Sequence, residues 1–351
     1  MTRAATPLPD APTTATAVFQ MITGHYLSTA VNAAARLELA DAMADGVHDH
    51  QTLARRTGTH PDSLLRLLYL LASAGLLTDE GEGRFALTEA GRLLRKDADL
   101  SLHAVALMHA GPGHIQRWIS LPELLREPPK GSEDKPRGNP FAQMPPHVAQ
   151  IFHRAMTFFS QHTSEAVVRS YDFGRFRSLV DVGGGEGTLL AAILRANPEL
   201  RGTLFDLPSA GEAGRRTLAE AGLAGRGEVV DGDFFTSVPA GHDAYLLKSV
   251  LHDWDDDASR TLLANIRAAM KPDSRLLLVE TIRPDRFDTT AGSLLAAYSH
   301  LGMLFNGGAE RSEREFRSLL GGAGLELNEI TWIRPAWSGV ANTAVIEAVV
   351  A

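Results

Sequence analysis

Hydrophobic residues recur at helical spacing through the first half of the chain and change to short continuous runs in the second half. From Ala17 to about Gln161 the apolar positions return every three or four residues, the period of an amphipathic helix. After Phe176, five apolar runs of strand length alternate with helical stretches: Ser178–Val182, Gly202–Phe205, Gly227–Val230, Ala244–Leu247 and Arg275–Glu280. This alternation predicts an α/β fold, in which a parallel sheet carries helices on both faces.

Two further apolar runs, Leu325–Ile333 and Thr343–Val350, close the chain. The turn-rich segment Arg334–Asn342 between them is too short for the helix that a parallel connection needs. We therefore expect the two runs to pair as a C-terminal antiparallel hairpin at the edge of the sheet.

Changes in composition divide the chain into three parts. Residues 1–16 are rich in Pro, Thr and Ala, which predicts a disordered tail and does not match a signal peptide. We assign residues 17–161 to a helical domain, residues 162–351 to the α/β domain, and the Pro-, Gly- and charge-rich segment Glu127–Pro146 to an exposed loop.

No apolar run is long enough to cross a bilayer, so we expect a cytoplasmic protein with no membrane partner.

Within the helical half, Gln51–Leu94 has the order of elements of a winged helix. The short helix Leu53–Thr57 is followed by a turn, the longer helix Pro61–Ala74 and a two-stranded wing around Asp79–Arg84. This fold recognises DNA in some proteins and has a structural role in others, so the fold alone does not decide the function.

The second helix of this motif does not suit DNA. Its stretch Leu64–Leu71 contains one charged residue, Arg66, whereas a recognition helix presents polar and cationic side chains to bases and phosphates. The net charge of −8 also argues against nucleic acid as the partner. A helix that is apolar nearly all round is a buried one. We therefore expect a homodimer in which this helix and the Val18–Met43 helix lie between two copies of the chain.

The strongest local motif joins the first predicted strand to a helix. In SLVDVGGGEGT, residues 178–188, glycines at 183, 185 and 187 allow a tight turn and the close approach of a ligand to the backbone. Dinucleotide-binding enzymes use a similar turn, but their third glycine comes one residue later. Asp181 would repel a pyrophosphate and suits a cofactor that carries an ammonium and a sulfonium. These two details favour S-adenosylmethionine, with a nicotinamide-dependent oxidoreductase as an alternative.

Two further motifs follow the second and third strands. Asp206 ends the second strand in LFDLP, where an acid accepts hydrogen bonds from the hydroxyls of a ribose; its alternative role is to cap the next helix. Asp233 and Phe234 follow the third strand in GDFF, where the acid can accept from an adenine amino group and the ring can lie against the base. As isolated residues they would be a turn acid and a core aromatic, but their order along the chain favours cofactor contacts.

These motifs, with LLKSVLHDWDD, LLLVE and GGAERSEREF further along, resemble the S-adenosylmethionine-dependent O-methyltransferases of the plant caffeate and flavonoid type and their bacterial relatives in natural-product pathways. The resemblance covers nearly the whole chain. It implies a Rossmann-like class I methyltransferase sheet preceded by a mostly helical, winged-helix dimerisation domain. It also implies S-adenosylmethionine as cofactor, S-adenosylhomocysteine as product and a small aromatic acceptor. The expected cofactor contacts are Asp181, Gly183, Gly185, Asp206, Leu207, Asp233, Phe234 and Lys248.

His252 lies just past the fourth strand, at the edge where open parallel sheets bind their ligands. A phenol, with a pKa of about 10, is mostly protonated at neutral pH and is then a poor nucleophile. A neutral imidazole can take its proton. Glu280 ends the fifth strand and Glu310 lies in a glycine-bordered loop, so both can orient the ring and stabilise the imidazolium. The resemblance implies the same roles, with His252 as base and two flanking acids.

Two questions stay open at this point. The stretch HDWDDD could serve only to start a helix, with Asp253 or Asp255 capping Asp257–Met270 and His252 taking no part in catalysis. The accepting atom is also open, because a relative that methylates carbon or nitrogen, or has lost methyl transfer, would share the fold and the cofactor site.

We expect a metal-independent enzyme with an apolar, aromatic acceptor pocket. The chain has no cysteine, and His103, His109 and His114 are six and five residues apart, which does not match ligand spacing on one helix. From the positions at which family members contact their acceptors, the pocket candidates are Trp118, Met156, Phe159, Met303 and Asn306.

Overall fold

The computed structural model describes residues 14–126, 146–333 and 342–351 of the chain. Within these residues the chain divides into two compact units. The N-terminal unit contains residues 14–121 and 146–158, and the sheet unit contains residues 122–126, 159–333 and 342–351. Residues 1–13 of the predicted tail, residues 127–145 of the predicted loop and residues 334–341 of the turn-rich segment lie outside the described residues.

Helices and a small sheet make up the N-terminal unit. Its helices are α1 Thr14–Arg36, α2 Leu39–Ala42, α3 His50–Thr57, α4 Pro61–Ser73, α5 Glu89–Arg92, α6 His103–His109 and α7 Pro112–Ile119. The boundary with the sheet unit falls within α8 Leu121–Leu124 and within α9 Pro146–Ser170. Its strands, β1 His48–Asp49, β2 Leu77–Gly81 and β3 Arg84–Leu87, pair antiparallel in the order β1-β3-β2. Helices α3 and α4 with the β2–β3 hairpin confirm the predicted winged helix.

The predicted single helix Val18–Met43 is wrong, because the chain turns near its end. Helix α1 begins earlier, at Thr14, and ends at Arg36, and Glu38 then adopts a left-handed conformation with φ 52° and ψ 34°. A non-glycine residue seldom has this conformation. The turn directs the following helix α2 inward, so that Leu39 and Met43 are each only 1% exposed. Burial of these side chains offsets the local cost, and no glycine or proline marks the turn in the sequence.

Helix α4 is buried on one face within a single chain. Leu64, Leu68 and Leu71 lie on that face and are at most 2% exposed, whereas Tyr69 and Leu70 are 47% and 42% exposed. The prediction of burial nearly all round is therefore confirmed for one face only. The other face stays available to a second chain.

The sheet unit is built on seven strands in the order β6-β5-β4-β7-β8-β10-β9. Their bounds are β4 Ser178–Val182, β5 Arg201–Asp206, β6 Gly227–Asp231, β7 Ala244–Lys248, β8 Arg275–Thr281, β9 Leu325–Trp332 and β10 Thr343–Val350. The first five are parallel, and β10 pairs antiparallel with both β8 and β9. The five predicted parallel strands and the C-terminal hairpin are confirmed. The later strand of the hairpin lies inside the sheet, and the earlier one, β9, forms its edge.

Helices cover both faces of this sheet. They are the last part of α9 together with α10 Thr188–Ala196, α11 Pro208–Glu220, α12 Asp256–Ala269 and α14 Glu313–Gly322. Between α12 and α14 along the chain lies α13 Ala291–Met303. Side chains alternate between two apolar cores: Leu246 belongs to the core with α10, and its neighbour Leu247 belongs to the core with α12 and α14. No helix in the described part of the chain combines the length and apolarity that a bilayer crossing requires.

The parallel strands bring the predicted site residues to one edge. The carboxyl ends of β4, β5, β6, β7 and β8 lie at the same edge of the sheet, because parallel neighbours run in one direction. The glycine turn follows β4, Asp206 ends β5, and Lys248 ends β7. Each of the sequence motifs therefore contributes to one ligand-binding edge.

Candidate active site

The glycine turn after β4 has the backbone that its sequence requires. Gly183 and Gly185 have φ angles of 70° and 58°, a region that residues with a Cβ rarely adopt. The Gly183 N–H donates to the Phe205 carbonyl at 2.8 Å and so ties the turn to β5. A Cβ built on Gly185 would meet no atom within 4 Å, so the space beside this part of the turn is open. The turn therefore presents exposed backbone to a ligand.

Asp206 faces this turn from the end of β5. Its Oδ2 accepts from the Gly185 N–H at 2.8 Å, and its Oδ1 accepts from the Leu207 N–H at 2.6 Å. A carboxylate has about four acceptor positions, so two remain for the hydroxyls of a ribose. Helix α11 begins at Pro208 with Leu207 at its N-cap position, so Asp206 is not the capping residue. The geometry fits the predicted ribose contact.

Asp181 lies beneath the turn rather than beside its open face. The residue is 1% exposed, and a Cβ on Gly184 would come within 2.5 Å of its Oδ2. Burial raises the pKa of Asp181 to about 7, although the nearby Lys248 ammonium opposes the shift. Burial also lowers the pKa of Lys248, against the attraction of Asp181 and Glu280. Burial thus disfavours the charged form of each residue, and the attraction between Asp181 and Lys248 opposes that effect.

The third cofactor motif lies next to the first. Phe234 packs edge-on to Phe235 and Trp254, and a Cβ built on Gly183 would lie 3.5 Å from its Cε1. The Asn265 amide donates to the Phe234 carbonyl at 2.9 Å and holds this loop against α12. The exposed Asp233 accepts from the Phe235 N–H, as a turn acid does, and its contact with adenine stays a prediction.

His252 lies on a short 3₁₀ helix, Leu251–Asp253, directly after β7. The preceding Ser249 has a left-handed backbone with φ 54°, which costs free energy in a non-glycine residue. Glu280 holds this turn from the end of β8, because its Oε1 accepts from the N–H groups of Val250 and Leu251 at 3.0 and 2.9 Å. One carboxylate oxygen thus fixes the backbone that carries the histidine.

Two buried carboxylates face the imidazole of His252. Its Nδ1 is 3.3 Å from Glu310 Oε1 and 3.8 Å from Glu280 Oε2, and the two glutamates are 2% and 1% exposed. Burial alone would lower the pKa of His252, but the charges of Glu280 and Glu310 outweigh it and raise the pKa to about 9. Burial raises the pKa of Glu280 to about 6, although the imidazolium opposes this shift. The structure thus brings together the three residues predicted to be catalytic.

The residues on either side of Glu310 pack directly on the 3₁₀ helix Leu251–Asp253, which carries His252. The Ala309 N–H donates to the His252 carbonyl at 2.8 Å. The buried guanidinium of Arg311 donates to the carbonyls of Leu251 and Trp254 at 2.7 and 2.8 Å and pairs with Asp256. Sequence reasoning did not identify Arg311, because these contacts cross 60 residues of chain and no local pattern marks them.

Helix capping uses a residue of HDWDDD other than His252. The N-cap of α12 is Asp255, whose Oδ1 accepts from the Ala258 N–H at 2.9 Å. The capping interpretation is therefore confirmed for Asp255, and His252 lies outside that helix with its ring directed to the two glutamates.

Comparison with known proteins decides the family. Residues 140–326 match the O-methyltransferase domain, and residues 19–97 match the O-methyltransferase dimerisation domain. The chain belongs to the O-methyltransferase family. It is an S-adenosylmethionine-dependent methyltransferase with the fold class and the dimerisation domain that its motifs imply.

Bacterial natural-product enzymes are among the proteins similar to this O-methyltransferase. O-demethylpuromycin-O-methyltransferase of Streptomyces alboniger is 39% identical over 321 residues, which cover 89% of this chain and 84% of that protein. The solved structure of the mitomycin 7-O-methyltransferase has a TM-score of 0.82 at 36% identity and covers 95% of this chain and 97% of its own. An O-methyltransferase of neocarzinostatin biosynthesis was solved with S-adenosylmethionine and 2-hydroxy-5-methyl naphthoic acid; it has a TM-score of 0.73 at 31% identity and covers 92% of this chain and 96% of its own.

The cluster of His252, Glu280 and Glu310 also has the residue types of a metal site. One ligand atom from each of His252, Glu280 and Glu310 lies within 4.8 Å of the others, and no second such group occurs among the described residues. Outside this cluster, the rings of His109 and His114 are 4.9 Å apart, although they are on different helices. The His114 Nε2 accepts from Trp118 at 2.8 Å, so this nitrogen is occupied. Metal independence stays a prediction.

The acceptor candidates are divided between the two units of the methyltransferase. Trp118, on α7, and Met156, on α9, belong to the N-terminal unit. Phe159, Met303 and Asn306 belong to the sheet unit, with Met303 at the end of α13 and Asn306 at the end of the 3₁₀ helix Leu304–Asn306. Their contact with an acceptor stays a prediction.

Proposed function

We propose that this enzyme methylates a phenolic hydroxyl of an aromatic small molecule in a natural-product pathway, with His252 as general base. The observation that carries the proposal is the pair of buried carboxylates facing the His252 Nδ1, at the edge of the sheet that also carries the cofactor motifs. The similar enzymes named above are O-methyltransferases of puromycin, mitomycin and neocarzinostatin biosynthesis, which supports an aromatic acceptor.

One set of residues would hold the cofactor, and another set would remove the proton of the acceptor. S-adenosylmethionine supplies a methyl group on a sulfonium, and Gly183, Gly185 and Asp206 would hold it at the ends of β4 and β5. With Nδ1 directed at the glutamates, the Nε2 of His252 accepts the proton of the hydroxyl. Glu310 fixes the ring and, together with Glu280, stabilises the imidazolium that forms. Because the transfer needs an in-line approach, holding the phenolate in position contributes much of the acceleration.

The proposal includes a homodimer that works in the cytoplasm. The dimerisation domain over residues 19–97 supports the assembly. A chain of 351 residues without cysteine needs no oxidising compartment to form disulfides, which is compatible with a cytoplasmic enzyme.

Product analysis tests the proposal. The purified protein is incubated with S-adenosylmethionine labelled with ¹³C at the methyl group and with a panel of hydroxylated phenazines, quinones, naphthoates and benzoates. We expect a mass gain of one labelled methyl group and a carbon chemical shift typical of a methoxy group. A label on nitrogen or carbon would overturn O-methylation. Calorimetry provides the control for the cofactor: binding of NAD instead of S-adenosylmethionine would contradict the whole proposal.

A further inference from the structure

A serine on α13 contacts the catalytic cluster through Glu310. The Ser299 hydroxyl donates to Glu310 Oε1 at 2.6 Å. The same oxygen faces His252 Nδ1 at 3.3 Å. Ser299 is eleven residues before Glu310, on a different element, so the contact depends on the packing of α13 against the glycine-bordered segment.

The two glutamates of the cluster are anchored in different ways. Glu280 is held by backbone, since its Oε1 accepts from two N–H groups of the histidine turn. Glu310 Oε1 contacts only side chains among the hydrogen bonds of the described residues, those of His252 and Ser299. Its Oε2 is buried and has no hydrogen-bond partner within the described part of the chain. Without the serine, the side chain of Glu310 would depend on the imidazole that it is meant to orient.

We propose that Ser299 is a positioning residue for methyl transfer, whose hydroxyl holds the Glu310 carboxylate against His252. This inference rests on the proposed role of His252 as general base. A buried carboxylate with one free oxygen can rotate about its terminal torsions, and a hydrogen bond to a charged group is among the stronger ones. Ser299 removes that freedom before the acceptor arrives and so keeps the imidazole in the orientation that directs Nε2 outward.

The charges around the cluster give the sign of the expected change. His252 faces Glu280 on β8, Glu310 on the glycine-bordered segment and Asp253 on its own turn. Beyond them, Lys248 acts on Glu280, and His300 acts on Glu310. Of these groups, only Glu310 is hydrogen-bonded by Ser299 among the described residues. If Glu310 is released, His252 loses one of its anionic partners, and the pKa of His252 falls towards its ordinary value.

The test compares Ser299→Ala with Ser299→Thr, which keeps the hydroxyl. Ser293→Ala is the matched control, because it removes a buried hydroxyl from the same helix. That hydroxyl accepts from the Asp288 N–H and has no contact with the cluster among the described hydrogen bonds. For Ser299→Ala we expect a kcat about tenfold lower at the high-pH plateau, where His252 is neutral in every variant; this is the effect of losing a hydrogen bond to a charged group, and the affinity for S-adenosylmethionine should be unchanged. Ser299→Thr should restore most of the rate, and Ser293→Ala should keep it.

Ring nitrogen NMR of His252, assigned with His252→Asn, gives a readout that does not need an acceptor. The pKa of His252 should fall in Ser299→Ala and stay at the parent value in Ser293→Ala. An unchanged or raised pKa in Ser299→Ala would overturn the positioning role even if no substrate is known. If Ser299→Ala fails to fold, Ser299→Cys keeps the side-chain volume with a weaker donor and is measured in the same way. Failure of the proposed function would appear separately, as absence of methyl transfer by the parent enzyme.

Discussion

His252 carries a proton in the cofactor-free enzyme at neutral pH, because the two buried glutamates raise its pKa to about 9. A general base acts in its neutral form, so turnover must rise with pH as this proton leaves. A bound sulfonium is a cation nearby and would lower the pKa again. The pKa of His252 during turnover therefore depends on the opposing effects of the two carboxylates, which raise it, and the cofactor sulfonium, which lowers it.

We expect kcat/KM for the acceptor, measured with saturating cofactor from pH 5 to 10, to rise with an apparent pKa above about 6.5, the ordinary value for histidine. The contribution of His252 to the free energy of unfolding should fall as pH rises, whereas the rate increases. Because the folded-state pKa lies above the unfolded one, the contribution of His252 to stability is complete below the unfolded pKa and is lost as pH rises through about 9. A rate limb at or below the ordinary pKa of histidine would show that the glutamates do not outweigh the bound sulfonium in setting the pKa of His252.

Replacing the base should separate binding from chemistry. His252→Asn keeps a side chain of similar size, and we expect it to lower kcat by about 10²–10⁴-fold, the usual share of a general base. Cofactor affinity in calorimetry should be nearly unchanged, because the imidazole acts on the proton of the acceptor. Higher pH should partly restore the rate, since more phenolate is then present. Parent turnover at neutral pH in a folded variant would exclude proton removal by His252.

Asp206 is the residue on which cofactor affinity should depend most directly. Asp206→Ala removes the acceptors expected for the ribose and those used by the N–H groups of Gly185 and Leu207. We expect calorimetry to show S-adenosylmethionine binding weaker by roughly 1–3 kcal/mol, the cost of unpaired polar groups. Asp206→Asn keeps one acceptor oxygen and should lose less. Equal affinity in both variants and the parent would mean that the ribose lies elsewhere.

At the scale of elements, the segment 308–311 shapes the turn that carries the base. It packs on the 3₁₀ helix Leu251–Asp253 with the Ala309 N–H and the Arg311 guanidinium bonded to its carbonyls. It also forms a bridge with the end of β8 through Ile282 and Arg311. The segment therefore connects the element that carries Glu280 with the turn that carries His252. Glycine is required at its start, because a Cβ on Gly308 would lie 2.0 Å from the His252 carbonyl oxygen.

Gly308→Ala should push the segment 308–311 away from the turn that carries His252. We expect a loss of about 1–3 kcal/mol in unfolding free energy, the usual cost of overpacking, and a lower kcat with little change in cofactor affinity. The matched control is Gly302→Ala on α13, where a Cβ would meet no atom within 4 Å. Chemical denaturation and steady-state kinetics on both variants check this. Equal stability and rate for Gly308→Ala and the parent would contradict the close contact.

At the scale of the whole molecule, helix α1 has an apolar face that its own unit does not cover. Phe19, Met21, Ile22 and Tyr26 are between 61% and 79% exposed, and they lie within the matched dimerisation domain. Large exposed apolar surfaces of this kind mark protein interfaces. Together with the exposed side of α4, they support assembly through this domain.

Light scattering at micromolar concentration should therefore give about twice the chain mass of 37.8 kDa. Ile22→Asp places a charge on the exposed face and should shift the protein towards the monomer, whereas Glu80→Gln, an exposed residue of β2 that lies outside α1 and α4, should leave the dimer intact. A monomeric parent protein at these concentrations would refute an interface through α1.

The sequence by itself determined the strand order along the chain, the glycine turn and the choice of the three residues predicted to be catalytic. These features are local: side-chain periodicity marks the strands, glycine marks positive φ, and the end of a parallel strand places its residues at the ligand edge. The predicted strands and the hairpin are confirmed for this reason. The family motifs also implied His252, Glu280 and Glu310 as site residues, and the structure brings these three within hydrogen-bonding or ion-pair distance.

Only the tertiary structure decided features that depend on contacts distant in sequence. The break at Glu38 occurs because burial of the next helix offsets a left-handed residue, and local propensity does not include that gain. The anchoring of the two glutamates differs because one meets backbone N–H groups and the other meets Ser299. Arg311 supports the turn that carries His252 through carbonyls 60 and 57 residues away. A chain pattern specifies which elements form, but a side chain's partners follow from how those elements pack.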